Sequence, residues 1–487
     1  MKSSQVLRLA KVLGPLAIMA SAVSQEYGSG INYVAIDSLS AYPNVGNLVP
    51  LAMFITGLIL IPKVYMFQRY SRVENSSGGE YAWMSRSVSP MIGFIVQFIW
   101  WIGVTAAMGF IAYTIGDTLA SALVLMGISS GSWFATLYGH IVIGIIAIWT
   151  VFLLHYSGVK NYGMFVIVLF GVIILSAVIN IYFGLTTSAA TFSSLLSSNV
   201  FHGNTPSSII PGFTLGGFLG TVTLFIFAYG GLSGAPMLGG ESKNAKKNMP
   251  RGIIYAWLTA IILFTSVAYA IFHVAHANLI IGIINSKHSY YATVPGIIGL
   301  VTPRIVGIFI SIIITIILAK TLAPGMMVSS RTMFAFSEDK IFPQGIKHTN
   351  RYKAPDVAIL ITAVLASLFL IDTSVIGITV IVLRSISILI VIAVLGIGVI
   401  KIKLKKEKKD WENVVSGTAM IIAAIAGIIV AAIMIPSVIY TPGVSIYLQP
   451  TFQLFVSAIA GYLIFIVARK AYDADLDSYI RSKLLEE

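Results

Sequence analysis

Long apolar segments constrain the fold of this chain more than any other feature of its sequence. A helix needs roughly 20 apolar residues to cross the hydrocarbon core of a bilayer. We therefore expect twelve membrane-spanning helices, at residues 12–36, 47–67, 90–116, 137–156, 162–184, 213–238, 252–276, 303–329, 355–371, 374–400, 414–436 and 451–470. Helices are favoured over barrel strands, whose side chains would alternate in polarity every two residues. With only 10% charged residues in 487, the chain is predicted to be an all-α polytopic membrane protein that forms a single membrane domain, 1–487.

The basic residues indicate how the helices are oriented. Lys and Arg concentrate in cytoplasmic loops, and a cytoplasmic N-terminus places 26 of the 31 basic residues on that side. Only Lys287 and Arg304 are then placed in loops on the outer side of the membrane, and the other three basic residues lie within predicted spans. Both termini are therefore predicted to be cytoplasmic in the cell membrane, and the longest outer loops are expected at 185–212 and 277–302. Because the net charge of +13 is spread over alternate loops, it does not indicate a nucleic-acid partner.

The first span is interrupted near its middle by Gln25-Glu26-Tyr27-Gly28-Ser29-Gly30-Ile31. Glycine exposes its backbone and adopts dihedral angles that other residues avoid, and a carboxylate at membrane depth is expensive without a partner or a function. We expect the helix to break here. The N–H groups after Gly30 would then be free for a carboxylate, and the carbonyls before the break would be free for an ammonium or another cation.

The sixth span carries a second interruption, Phe227-Ala228-Tyr229-Gly230-Gly231. Spans 1 and 6 begin two five-helix halves, 12–184 and 213–400, and they start on opposite sides of the membrane. Paired interrupted helices in inverted halves indicate the substrate site of a secondary transporter. The alternative is that these glycines only pack helices closely, which is common in membranes. Residues 414–470 supply two further, peripheral helices.

Three charged residues are expected near the middle of the membrane: Glu26, Lys320 and Arg384. Each would cost a few kcal/mol if unpaired. Lys320 is interpreted as a proton-coupling group, as a permanent structural cation, or as a snorkelling lysine. Glu26 is its counter-ion, a ligand for a substrate ammonium, or the proton site itself. Arg384 is an outer-gate cation, a partner of Glu26, or a side chain that packs against carbonyls.

Other polar residues are expected to have ordinary roles. Lys63, near the inner end of the second span, is expected to snorkel to the membrane surface. The chain has no cysteine, which excludes disulfides and thiolate metal sites. No residue spacing indicates a metal site, a cofactor or a catalytic constellation, so we do not expect an enzyme.

Four stretches of the sequence together resemble the amino acid–polyamine–organocation (APC) superfamily of permeases. They are Gly28-Ser29-Gly30-Ile31; Ser77-Gly78-Gly79-Glu80-Tyr81; Phe227-Ala228-Tyr229 through Gly240-Glu241-Ser242-Lys243-Asn244 to Met249-Pro250-Arg251-Gly252-Ile253; and Ser330-Arg331-Thr332 with Ala335 to Ile341, Phe342-Pro343 and Ala354-Pro355. The resemblance implies a five-plus-five inverted repeat with discontinuous helices 1 and 6, followed by two peripheral helices. It also implies uptake or exchange of amino acids, driven by protons or by antiport.

The resemblance assigns roles to particular residues. The α-carboxylate of the substrate would bind the amides of Tyr27 to Ile31, and its ammonium would meet carbonyls of the two breaks. The expected substrate-binding residues are Glu26, Tyr27, Gly28, Ser29, Gly30, Ile31, Trp101, Phe227, Ala228, Tyr229, Gly230 and Gly231. Tyr229 or Phe227 would supply an aromatic lid, and Lys320, Glu26, Arg384 and Tyr229 would take part in coupling or gating. Ser233 stands where many members carry an acidic residue.

These features favour a permease whose partners are an amino acid, the lipid bilayer and, for a symporter, protons. A polyamine or organic-cation carrier of the same fold is one alternative, and the single buried acid argues mildly against it. A proton-conducting subunit of a respiratory complex is another, since such subunits also have many helices and buried lysines. The inverted pair of broken helices argues against that second alternative.

Overall fold

The computed structural model of this chain describes residues 14–73, 78–157, 162–441, 444–471 and 476–480, and only the backbone of 162–168, 240, 241 and 410. The first two residues of the first predicted span and Ser77 of the second motif lie outside these ranges. The same holds for several basic residues used to predict the orientation: Lys2, Arg8, Lys11, Lys160, Arg481 and Lys483.

The described chain is helical, with no β-strand. Its α-helices, in chain order, are α1 (Pro15–Glu26), α2 (Ala35–Ala41), α3 (Val49–Ile59), α4 (Ile61–Tyr70), α5 (Gly79–Ser87), α6 (Pro90–Leu125), α7 (Leu137–Tyr156), α8 (Tyr162–Thr186), α9 (Ala189–Leu196), α10 (Leu215–Phe225), α11 (Ala245–Val274), α12 (Ala277–Ile284), α13 (Val294–Val301), α14 (Arg304–Glu338), α15 (Asp356–Ile376), α16 (Val380–Leu404), α17 (Asp410–Val414), α18 (Thr418–Met434) and α19 (Pro450–Ala471). Shorter 3₁₀ segments cover Pro43–Leu48, Ser129–Ala135, Ile226–Ser233, Ala235–Glu241, Ser289–Tyr291, Gln344–Lys347, Gly377–Thr379, Pro436–Val438 and Ile446–Leu448, and π-helical turns cover Gly30–Val34 and Ser197–Phe201.

Ten helical stretches within the described residues are long and apolar enough to cross a membrane. They are Pro43–Tyr70, Pro90–Leu125, Leu137–Tyr156, Leu169–Thr186, Leu215–Gly239, Ala245–Val274, Arg304–Glu338, Asp356–Leu404, Thr418–Val438 and Pro450–Ala471. Every predicted span from the second to the twelfth overlaps one of them. The stretch Asp356–Leu404 takes up two predicted spans, because Gly377 (φ 57°) turns the chain between α15 and α16. The prediction of an all-α polytopic membrane protein is confirmed.

The first predicted span, 12–36, forms a helix in two pieces. α1 and α2 are separated by a turn and a π-helical segment, so neither piece alone is long enough to cross a membrane. α1 packs against α8, α11 and the 3₁₀ segment Ile226–Ser233. The interrupted parts of the first and sixth predicted spans therefore lie together.

α6 is the central helix of the molecule. In its most apolar stretch 89% of the residues are buried, against 22% in α19. It packs against α7, α14, α15, α16 and α19. Side chains of α6 therefore reach the interior next to the two interrupted helices, while α19 exposes apolar side chains as a lipid-facing helix would.

The segments predicted to be the longest outer loops contain short helices. α9 lies within 185–212, and α12 and α13 lie within 277–302. α9 forms because the Ser188 hydroxyl accepts a hydrogen bond from the Thr191 N–H at its start (3.1 Å) and because Phe192 and Leu196 are buried on one face. Both segments connect membrane-spanning stretches, as predicted, but they contain regular helix where irregular loop would be expected.

Candidate functional site

The first helix breaks at Tyr27 and Gly28. α1 ends at Glu26, and Tyr27 leaves helical geometry with φ −75° and ψ 78°. The Gly28 N–H donates to the Glu26 carbonyl at 2.8 Å, which closes a tight turn. A helix leaves its first N–H groups without an acceptor, so the renewed helix exposes the N–H groups of residues 29–31 at this point.

The sixth predicted helix changes its winding instead of opening into a loop. α10 ends at Phe225, and the chain continues as the 3₁₀ segments Ile226–Ser233 and Ala235–Glu241. Tyr229, at φ −93° and ψ 16°, departs from helical geometry inside the first of these segments. Hydrogen-bond geometry is poorer in a 3₁₀ helix than in an α-helix, so backbone groups of this stretch are available to side chains from other helices.

The two breaks touch each other directly. A Cβ atom added at Gly30 would lie 2.7 Å from the Cβ of Ala228, so only glycine allows this approach. Beside this contact, Glu26 Oε1 accepts a hydrogen bond from the Leu232 N–H at 2.8 Å. Glu26 is 4% exposed, and its Oε2 has no hydrogen-bond partner among the described residues. One carboxylate oxygen therefore joins the two breaks, and the other is left without a partner among the described residues.

A cavity with about 560 Å³ of empty volume lies between the two breaks and the helices α6, α14 and α16. The breaks contribute Gln25, Glu26, Ser29 and Gly30, and Phe227, Gly230, Gly231 and Gly234. The neighbouring helices contribute side chains that include Trp100 and Met108 of α6, Thr321 of α14 and Arg384 of α16.

Half of the expected substrate-binding residues line this cavity: Glu26, Ser29, Gly30, Phe227, Gly230 and Gly231. Three others do not line the cavity but pack in or against the breaks. Ala228 packs on Gly30, and a Cβ atom at Gly28 would lie 2.7 Å from the Thr321 hydroxyl oxygen. Ile31 is fully buried in the core.

The aromatic residues of the breaks point in different directions. The rings of Tyr27 and Tyr229 both contact Phe264 of α11, with centroids 6.2 and 5.3 Å away, and the Tyr229 hydroxyl donates to the Met53 carbonyl. Phe227 instead lines the cavity and meets the Phe110 ring edge-on at 5.9 Å. Of the two candidates for an aromatic lid, Phe227 is the one that faces the cavity.

The tryptophan pair of α6 is also divided between two surroundings. Trp101 packs with Phe98 and Phe342, at ring-centroid distances of 5.5 and 6.4 Å. Trp100 lines the cavity, where its ring lies 4.5 Å from the Arg384 guanidinium. Successive residues of a helix point about 100° apart, so a motif two residues wide does not specify which ring faces a ligand.

The two predicted mid-membrane cations bind backbone carbonyls. Lys320 Nζ donates to the Ser24 carbonyl at 2.6 Å and so joins α14 to the last turns of α1. Arg384 Nη2 donates to the Gly230 carbonyl at 3.2 Å. Among the residues that the structure describes, neither cation forms an ion pair with Glu26. The structure therefore provides neither of the ion pairs proposed for Glu26 from sequence.

Lys63 and Glu80 lie next to the site, although the sequence reasoning gave them no part in it. Lys63 is 1% exposed and its Nζ donates to the Ser233 hydroxyl at 2.7 Å. Its interpretation as a snorkelling lysine is therefore wrong. Glu80 is fully buried and close enough to interact electrostatically with Lys63 and Arg384. The sequence feature that could have indicated the position of Lys63 is Ser233, a neutral residue where many family members carry an acidic one. A lysine from another helix can occupy the space that the acidic side chain would otherwise fill.

The second and fourth family motifs contact each other. The Tyr81 hydroxyl donates to Asp339 Oδ2 at 2.7 Å, and the Tyr81 ring meets Phe336 edge-on at 5.5 Å. Asp339 follows the last turn of α14, and Tyr81 lies in α5 next to Glu80. These two motifs therefore hold α5, and with it the Glu80 carboxylate, against α14.

Comparisons with known proteins identify the family of this chain. A family profile described as "Amino acid permease" matches residues 13–467. The serine/threonine exchanger SteT of Bacillus subtilis (strain 168) is 25% identical over 374 residues, which make up 74% of this chain and 77% of that protein. The inner membrane transporter YjeM of Escherichia coli (strain K12) is 26% identical over 258 residues, or 48% of this chain and 47% of that protein.

These matches identify a transporter and not an enzyme, as the sequence predicted. They give no support to the interpretation as a subunit of a respiratory complex. Because the profile covers nearly the whole chain, the resemblance noted at four short motifs extends over all the apolar helices. The chain belongs to the amino acid permease family of the APC superfamily.

Proposed function

We propose that this chain is a secondary active transporter that carries an amino acid across the cell membrane by alternating access. The observation that carries this proposal is the contact between the two breaks, with a cavity beside them lined by Glu26, whose Oε2 has no partner among the described residues, and by Gly30, Gly230 and Gly231. A zwitterionic substrate needs hydrogen-bond donors for its carboxylate and an acceptor for its ammonium. Both kinds of group border this cavity.

The binding arrangement follows from these groups. The α-carboxylate accepts hydrogen bonds from the N–H groups of residues 29–31, at the positive end of the renewed helix. The ammonium donates to Glu26 Oε2, and Phe227 covers the bound molecule. Because Glu26 Oε1 also accepts a hydrogen bond from the Leu232 N–H, a shift of the Glu26 side chain on binding the ammonium would also shift the sixth helix.

The proposed architecture is a single membrane domain, 1–487, with twelve spanning helices. Residues 12–184 and 213–400 are two inverted five-helix halves, 414–470 form two peripheral helices, and both termini are cytoplasmic. The first, second, sixth and seventh predicted spans would rock against the remaining spans. The remaining spans are centred on α6, which lies in the third span. The close packing of α1 with α11 and with Ile226–Ser233 supports their movement as one body.

Coupling is proposed to involve Lys320. Its ammonium joins α14 to the Ser24 carbonyl, at a contact between the moving and stationary helices. A lysine that gives up its proton there would lose one of its donors and some of its hold on α1, which would couple proton release to the movement. Exchange without a proton is the competing mode, and the serine/threonine exchanger among the relatives makes it the first to test.

The test is transport by the purified chain in proteoliposomes. Liposomes loaded with unlabelled amino acids, or left empty, receive a panel of labelled amino acids and putrescine, with and without an inward proton gradient. Exchange requires internal substrate, whereas symport responds to the gradient in empty liposomes. Uptake of putrescine but of no amino acid would refute the proposal, and so would absence of all transport by chain that stays folded in the membrane.

A further inference from the structure

Arg384 is an arginine placed in the wall of the cavity. It is 6% exposed and lies beside Gly230, whose carbonyl accepts a hydrogen bond from Nη2 at 3.2 Å. Its guanidinium lies over Trp100, 4.5 Å from the ring centre. Stacking on an aromatic ring fixes the plane of a guanidinium and leaves its edge free for an acceptor.

The hydrogen-bonding capacity of Arg384 is only partly used. A guanidinium has five N–H donors and accepts no hydrogen bond. Nη1 is buried and has no acceptor among the described residues. No carboxylate in the described chain forms an ion pair with Arg384, and Glu80 interacts with it only over a longer range. A buried charge of this kind calls for an anionic partner.

The position of Arg384 relative to Glu26 indicates which part of a substrate it meets. Glu26 lies against Gly231, where an added Cβ atom would be 2.5 Å from the Glu26 Cγ, and Arg384 lies against the preceding Gly230. The two side chains therefore border the same glycine pair without forming an ion pair. In the proposed binding arrangement Glu26 takes the ammonium and helix 1 takes the α-carboxylate, which leaves the side chain of the substrate for Arg384.

The formal charges around the breaks agree with this assignment when Lys320 carries its proton. Among the described residues there, Lys63, Lys320 and Arg384 are then cationic and Glu26 and Glu80 are anionic. In that state a neutral amino acid leaves one positive charge uncompensated, while an amino acid with an acidic side chain compensates it.

We propose that Arg384 is the residue that determines substrate specificity, and that the substrate class is amino acids with an acidic side chain, of the size of aspartate or glutamate. This inference rests on the proposed function. The side-chain carboxylate accepts hydrogen bonds from the edge of the guanidinium that bears Nη1. The Arg384–carboxylate pair is then enclosed by Trp100 and the glycine backbone.

The experiment compares labelled aspartate, asparagine and alanine as exchange substrates of the full-length chain in proteoliposomes. Asparagine keeps the shape of aspartate but not its charge, and alanine lacks the polar group. A charge-assisted hydrogen bond contributes about 10- to 150-fold to affinity, so the wild-type KM for aspartate should be lower than that for asparagine by about this factor. In Arg384→Gln the difference should shrink to within about 3-fold, because the KM for aspartate should rise by a larger factor than the KM for asparagine or alanine.

Arg304→Gln is the matched control, because Arg304 also donates to backbone carbonyls, those of Leu125 and Met126, but is exposed and away from the cavity. It should keep the wild-type preference for aspartate. Equal KM values for the three substrates in the wild-type protein would overturn the role of Arg384 and leave the proposed function standing, even if Arg384→Gln failed to fold. An equal loss for all three in a folded Arg384→Gln protein would also overturn it, since the arginine would then bind the α-carboxylate or support the structure. Absence of exchange for every amino acid would overturn both proposals.

Discussion

Replacement of Glu26 by glutamine tests the binding arrangement at its centre. Glutamine keeps the size of the side chain and an oxygen that can accept the Leu232 N–H, the contact that Glu26 Oε1 makes at 2.8 Å. What it removes is the charge, and with it the charge-assisted acceptor at Oε2. If Oε2 binds the ammonium of the substrate, Glu26→Gln should weaken binding and leave the ligand-free protein nearly as stable as before.

The size of the effect can be estimated. A hydrogen bond to a charged group contributes about 1.5–3 kcal/mol, so Kd should rise by about 10- to 150-fold. A ligand present at 100 times its Kd stabilises the folded protein by about 2.7 kcal/mol. At the same ligand concentration, Glu26→Gln should retain only about 1.4 to 0.3 kcal/mol of that stabilisation.

Thermal unfolding in detergent, with and without a saturating amino acid, measures this difference. Glu407→Gln, in the exposed loop after α16, is the control for loss of an acidic residue and should retain the full ligand-induced rise in Tm. Glu26→Ala should differ from Glu26→Gln in the ligand-free state, because it leaves the Leu232 N–H without its partner at a cost of about 1–3 kcal/mol. A wild-type response to ligand in Glu26→Gln would refute the assignment of the ammonium to Glu26.

Three further predictions concern the elements around the cavity. Lys320→Met removes the hydrogen bond to the Ser24 carbonyl and should abolish stimulation of uptake by a proton gradient while exchange persists; stimulation that survives in this variant would exclude Lys320 as the coupling group. Gly30→Ala would place a Cβ atom 2.7 Å from that of Ala228 and should destabilise the protein by about 1–3 kcal/mol, whereas Gly230→Ala, whose nearest neighbour would be 3.6 Å away, should leave the Tm close to wild type. Burial raises the pKa of Glu412, but hydrogen bonds from the Lys405 side chain and the Lys409 N–H outweigh burial and hold it below 4.5. Glu412 should therefore add about 1 kcal/mol of local stability above pH 4.5. This stability is lost as the pH falls through the lower pKa that Glu412 has in the folded protein. Glu412→Gln should accordingly accelerate hydrogen exchange in 405–414 at pH 7 and have no effect at low pH.

The parts of the structure that could be predicted are those set by local sequence. The length of an apolar run determines whether a helix can cross a membrane, and this was enough to locate the long helices. A pair of glycines beside a polar residue in such a run was enough to locate the break at Tyr27 and Gly28 and the distortion around Tyr229. Short helices such as α9 were missed because they depend on one cap and two buried side chains, a signal too small to stand out in a polar segment.

The partners of the buried charges could not be predicted, because they are set by contacts between helices distant in sequence. Lys63 and Ser233 are 170 positions apart, and Lys320 and Ser24 are 296 apart. A span reveals the depth of a charge, but not the direction in which its side chain points. For the same reason the sequence indicated an aromatic residue of α6 in the site but named Trp101, whereas Trp100 is the ring that lines the cavity.

Two of the buried charges, Glu26 and Arg384, have a common explanation in the backbone of the sixth helix. Irregular backbone at membrane depth needs hydrogen-bond partners from the protein, since lipid supplies none. The stretch from Gly230 to Leu232 receives them from two different helices: Arg384 binds the Gly230 carbonyl and Glu26 binds the Leu232 N–H, while Lys63 binds the side-chain hydroxyl of the next residue, Ser233. Each of these bonds uses only part of the charged group, and for Arg384 and Glu26 an atom without a partner is left beside the cavity. The residues that stabilise the distorted helix are therefore also those able to bind a charged substrate. Movement of this helix changes the positions of these residues in the site, and binding of a substrate to them changes how they hold the helix.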